Sequence, residues 1–139
     1  MLTLQELCFS PTAVRHGINN MAPPELHDNL YALAMELDAI CHFLQAPIDL
    51  LSGYRCPYLN ALVRGQEHSQ HLKGLAADFV MPHFGDPLQV IAVLATSPIK
   101  FDQLIYEGAW VHISFDEHPR HEILQATFRA DEPTVYRTI

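Results

Sequence analysis

Cysteine pairs, basic charge and long apolar runs are all scarce in this chain, and each scarcity removes a class of protein. The three cysteines, Cys8, Cys41 and Cys56, stand far apart with no CxxC pair. A cysteine-built zinc site or a disulfide framework is therefore not expected, and the thiols read as free and buried or partly buried. Eight lysines and arginines face sixteen acidic residues, a formal net charge of -8. A surface that neutralises nucleic-acid phosphates or an anionic bilayer needs more basic charge than that, so neither nucleic acid nor membrane is an expected partner. No segment approaches the roughly 18 apolar residues of a membrane helix. The start, Met1–Leu7, lacks the basic region and long apolar core of a signal peptide. Synthesis in the cytoplasm is the expectation, with later release from the cell left open.

What is present is ordinary globular material: 139 residues, 49% hydrophobic and 17% charged. That length suits one domain, residues 1–139, with a motif-bearing core at about 24–128. A short helix is predicted at Leu4–Leu7, and Ser10-Pro11-Thr12 reads as a helix start; Asn19-Asn20 and Pro23-Pro24 break the pattern. Leu26, Leu30, Leu33, Ala34, Leu37, Ile40 and Cys41 recur at helical spacing and predict a helix from Pro24 to about Leu44. A strand is expected over Pro47–Gly53, a short helix over Pro57–Val63, a buried strand over 75–81 and a helix from Pro87 to about Ala95. Phe101–Tyr106 and Trp110–Phe115 read as strands joined by the hairpin-like Glu107-Gly108-Ala109. Ile123–Phe128 adds a further strand, and Arg129–Ile139 reads as a polar, irregular tail. The fold class is α+β, with N-terminal helices packed on a mainly antiparallel sheet that carries the site.

The chemistry concentrates in Ser69–Phe79. His71 and Asp78 lie seven positions apart with Gly74 between them, and Gly74 permits a sharp turn that lets the two converge. Asp78 interrupts the apolar run Leu75-Ala-Ala-Asp-Phe-Val, and a carboxylate there is costly unless paired or bound to metal. Downstream, alternation in Trp110-Val-His-Ile-Ser-Phe puts Trp110, His112 and Ser114 on one face of a strand. Two histidines and one aspartate from separate elements make a zinc site that leaves a position for water. The bland reading stays open: Asp78 paired with a basic side chain, with His71 on the surface. His68 is the rival ligand, and His118 and His121 sit in a polar turn. A hydrolytic site also needs a general base. Glu107, five residues before His112, is the first choice and Glu67 the second. Arg55 in Ser52-Gly-Tyr-Arg can hold a substrate carboxylate or oppose oxyanion charge, unless it serves only a salt bridge. Tyr54 and Asn60 are candidates to line the same cleft, with an ordinary structural role as the alternative for each.

Taken together these elements resemble the D-alanyl-D-alanine carboxypeptidase family of zinc peptidases. Its Ser-x-His-x-x-Gly-x-Ala-x-Asp hallmark is complete here as Ser69, His71, Gly74, Ala76 and Asp78. Ser52–Arg55 matches the upstream Ser-Gly-Tyr-Arg element and Trp110–His112 the downstream Trp-x-His, so the likeness covers about residues 47–115. The resemblance implies Zn2+ held by His71, Asp78 and His112. It implies Arg55 as substrate anchor or transition-state arginine and Ser69 as a substrate contact; Tyr54 and Trp110 are expected as further substrate-binding residues. Many members carry the catalytic Glu two or three residues before the last His; here Glu107 is the nearest counterpart. The implied activity is hydrolysis of peptidoglycan stem peptides or crosslinks by a monomeric, endolysin-like enzyme of phage or prophage type. The competing expectations are a zinc-stabilised binding module without turnover, which the same fold permits, and a metal-free structural domain.

Overall fold

The computed structural model describes all residues, 1–139. Two short helices open it, α1 (Leu4–Cys8) and α2 (Pro11–Arg15). Thr3 and Glu6 form a capping box on α1, and Ser10 caps α2 with Pro11 in its first turn. A 3-10 turn at Pro24–Leu26 leads into α3 (His27–Leu44), so the predicted long helix begins with a tighter turn and ends where expected. Strand β1 (Asp49–Ser52), helix α4 (Pro57–Leu62), a 3-10 turn at Gln70–Lys73, strand β2 (Ala76–Val80) and helix α5 (Pro87–Ala95) follow. Four strands complete the chain: β3 (Gln103–Tyr106), β4 (Val111–Ser114), β5 (Glu122–Thr127) and β6 (Val135–Thr138).

The expected irregular tail is therefore corrected: its last residues pair antiparallel with β5. Val135-Tyr136-Arg137-Thr138 is exposed along its whole length. It carries no apolar alternation to announce a strand, and the ladder with β5 supplies the order instead.

The six strands run in the order β1-β2-β4-β3-β5-β6. Every neighbouring pair is antiparallel except β3 and β5. Ala77, Phe79, Leu104, Val111 and Ile113 join Leu30, Leu33, Leu37 and Ile40 of α3 and Val90, Ile91 and Leu94 of α5 in one buried core. The helices thus cover one sheet face, where every second residue is apolar. The other face carries a cross-strand row, Ser52, Asp78, His112, Ile105 and Leu124, each paired with the next. A bulge in β1 between Leu50 and Ser52 brings Ser52 opposite Asp78. The three cysteines are free, as expected, with Cys8 buried. No helix is long and apolar enough to cross a membrane.

Two local devices hold the segment before β2. Gly74 ends the Gln70–Lys73 turn at φ +71°, and a Cβ there would lie 2.8 Å from Leu30 Cγ. Gln70 donates to Asp102 Oδ2 and to the Phe115 carbonyl. Buried Asp102 also receives the Arg120 guanidinium at 2.9 and 2.8 Å and the Arg120 backbone N–H. The bonds from Arg120 outweigh burial and hold the Asp102 carboxyl below its ordinary pKa.

Gly74→Ala forces a side chain into the left-handed region and against Leu30. It should lower stability by about 1–2 kcal/mol, measured by urea unfolding, with weaker zinc binding because the turn between His71 and Asp78 is strained. Because Asp102 is depressed in the folded state, its stabilising contribution is present above the unfolded carboxylate pKa of about 4 and lost as pH falls below it. Asp102→Asn should therefore flatten the acid limb of the stability–pH curve; an unchanged limb would assign acid sensitivity elsewhere.

Candidate metal centre

His71, Asp78 and His112 come together on the open sheet face, with one donor atom from each lying within 4.8 Å of the others. Asp78 and His112 are register partners on β2 and β4, and His71 is delivered from the 3-10 turn. The two imidazole rings meet edge to face, 5.1 Å between centroids. His112 Nδ1 lies 2.9 Å from Asp78 Oδ1. His71 Nε2 lies 3.3 Å from Asp78 Oδ2.

The His71 ring is fixed from behind. Its Nδ1–H donates to the Gly53 carbonyl at 2.6 Å, which directs the Nε2 lone pair at the cluster. His71 is 1% exposed, and burial lowers its pKa, so the ring is neutral at neutral pH. Burial acts to raise the Asp78 carboxyl, but His71 and His112 more than offset it and hold the group far below its ordinary range. A neutral imidazole beside an ionised carboxylate is the protonation state a metal requires. His71 Nε2 is buried and has no hydrogen-bond partner. Its neighbour Asp78 Oδ2, 3.3 Å away, is also an acceptor and already takes the Arg55 Nη2–H. A cation resolves that arrangement; the residues present fit zinc, whose ligands are of these types.

Arg55 bears on the same carboxylate. Its Nη2–H donates to Asp78 Oδ2 at 3.2 Å, Nη1–H to Asn60 Oδ1 at 2.9 Å and Nε–H to Ser52 Oγ at 3.2 Å. The salt-bridge reading of Asp78 and the metal reading therefore coexist, but His71 is buried and not on the surface. Gly65 lies against this clamp: a Cβ there would fall on Asn60 Oδ1 and 2.6 Å from Arg55 Nη1. The two motifs are also tied through their backbones, with the Arg55 N–H donating to the His71 carbonyl at 3.1 Å.

A cavity of about 1140 Å³ opens over the cluster, lined among others by Arg55, Ser69, Glu107 and Trp110. Glu107 begins the β3–β4 hairpin, its N–H donating to the Trp110 carbonyl at 3.0 Å. Burial raises the Glu107 carboxyl to about 7, with His112 opposing, Asp78 adding and Arg55 opposing. A dication held by the cluster would draw it back toward the ordinary carboxylate range. Ser69 lines the cavity while its hydroxyl caps the turn by accepting from the His71 N–H at 3.2 Å.

Other expectations divide. Tyr54 is corrected: it is 4% exposed and packed in the core, because β1 ends at Ser52 and its alternation stops there. Asn60 supports Arg55 from a buried position and does not line the cavity. His68 reaches the cavity rim but not the donor cluster, and Glu67 does neither. Missed altogether were Asn20, Gly65 and Tyr136. Asn20 donates to the Cys8 and Tyr54 carbonyls and accepts from the Cys56 N–H, clasping the N-terminus to the Arg55 segment. Only its place in a break between helices marked it in the sequence.

The family model described as Peptidase M15 matches residues 1–114. The chain belongs to that family of D-alanyl-D-alanine carboxypeptidase-like zinc peptidases. No curated protein matches the chain.

Zinc that binds the folded state alone should stabilise it by about 2.7 kcal/mol at a hundredfold excess over Kd, read as a rise in Tm that a chelator reverses. Asp78→Asn should abolish the rise; a full rise in that variant would place the metal elsewhere.

Proposed function

We propose that the protein is a zinc-dependent peptidase that hydrolyses peptide bonds in peptidoglycan stem peptides or crosslinks. The observation that carries this reading is the buried His71–Asp78–His112 cluster with Glu107 on the same cavity, in a chain of a peptidase family. Zinc, when bound, supplies an activated water and polarises the scissile carbonyl. His71, Asp78 and His112 would hold it.

The chain's own residues supply the rest. Glu107 takes the proton of the attacking water and returns it to the leaving amine, a task its place on the cavity suits. Arg55, with three of its five N–H groups engaged, keeps donors for a substrate carboxylate or the oxyanion. Ser69 and Trp110 contact the peptide from the cavity wall. Glu107 on the cavity supports turnover over a binding module of the same fold. The resemblance to endolysin-like members supports action by a monomer on the cell wall during phage lysis.

Incubating zinc-loaded protein with purified peptidoglycan, with a chelated control, should release fragments whose masses identify the bond. Absence of chelator-sensitive fragments from zinc-bearing protein would contradict the reading. Glu107→Ala should retain zinc and lose about 10²–10⁴ in turnover; near wild-type turnover would move the base elsewhere.

A further inference from the structure

The family match ends at residue 114, yet the cavity wall continues into the chain beyond it through Leu124, Phe128, Thr134 and Tyr136. The register shows why. Leu124 pairs with Ile105 on β3 and with Thr138 on β6, which places Leu124 and Thr138 on the face that carries His112. Tyr136, two residues before Thr138, shares that face and pairs with Ala126. Glu107 lies two residues past Ile105, just beyond the last β3–β5 pair, Tyr106 with Gln125; carrying that register one residue further sets Glu107 beside Ala126, and with Tyr136 they make the neighbouring row.

Ala126 is the reason this row matters. Strands lie about 4.8 Å apart, so Glu107 and Tyr136 start about 10 Å apart across β5. A large residue between them would separate their side chains; the buried methyl of Ala126 does not. The phenol feels the consequence: burial raises its pKa, Glu107 raises it further, and the Gln66 side chain beside it acts the other way. Tyr136 nevertheless remains 38% exposed, so a ligand can reach it. Across the cluster, the Arg55 donors are partly committed to Ser52, Asn60 and Asp78. The Glu107 side of the cleft has no arginine or lysine of its own on this row, and Tyr136 places a hydroxyl there, with Thr134 further along the wall.

We propose that Tyr136 contacts the substrate, its phenol hydroxyl donating a hydrogen bond to a carbonyl oxygen of the bound peptide on the Glu107 side of the cleft. This rests on the peptidase reading. It makes the β5–β6 hairpin, outside the family-matched segment, part of the substrate site, with Arg55 and Tyr136 gripping a peptide that crosses the strands.

The test uses full-length, zinc-loaded protein and a synthetic stem peptide spanning the bond that the wild type cuts. Tyr136→Phe removes only the hydroxyl and should lower kcat/KM about tenfold, the size of one hydrogen bond, without changing zinc content or Tm. In the Glu107→Gln background, where turnover is removed, Tyr136→Phe should raise the peptide Kd by a similar factor in calorimetry. Val135→Ala, on the opposite face of β6, should change neither quantity and separates loss of the strand from loss of the hydroxyl. Wild-type cleavage with unchanged kcat/KM and Kd in Tyr136→Phe overturns the inference and leaves the peptidase reading intact. A wild type that holds zinc and cuts nothing overturns both.

Discussion

One buried carboxylate organises this molecule. Asp78 sits in the middle of an apolar strand, where an unpartnered charge is costly. Both of its oxygens are engaged: Oδ1 by His112, Oδ2 by Arg55 and by the approach of His71. The three partners come from β4, from the segment after β1 and from the turn before β2. Satisfying a single anion therefore draws three parts of the chain to one point. The same anion keeps the histidine pair close, and neutral His71 with ionised Asp78 gives donors that need no proton removed before a cation binds.

The sheet converts that local demand into a site with a direction. Because side chains alternate, the helices take one face and leave the row from Ser52 to Leu124 free. The arginine clamp lies at the β1 end of this row, the donor cluster at its middle, and Glu107 one step along on the far side. On the proposed reading, a peptide laid across the strands would meet Arg55, the donor cluster and Glu107 in turn. Rigid supports hold each part: the Asn60 clasp on Arg55, the Gly53 carbonyl behind His71, and the Gln70–Asp102–Arg120 network that pins the turn.

Much of this was legible in the sequence, for identifiable reasons. The heptad-like spacing of Leu30, Leu33, Leu37 and Ile40 announced α3, and Ser10-Pro11 announced α2. The interruption of Leu75–Val80 by Asp78 announced a charge that needed partners, and Gly74 announced the turn that brings His71 back. What could not be read depends on tertiary pairing. Tyr136 lies in a polar segment whose order comes from β5, and its face is set by a register that only the assembled sheet defines. Tyr54 follows the end of β1 and is buried in the core, a placement that its neighbours in the sequence do not announce. The bulge that turns Ser52 toward Arg55, and the close approach that requires Gly65, leave no composition signal.

The central claim is that His71, Asp78 and His112 are donors to one metal ion with a position left open. Zinc-edge X-ray absorption on stoichiometrically loaded protein tests it most directly. The account predicts a four-coordinate spectrum with two imidazole nitrogens and oxygen neighbours at roughly 2.0–2.1 Å, and loss of one imidazole in His71→Ala. A six-coordinate, all-oxygen spectrum, or one unchanged by His71→Ala, would contradict it.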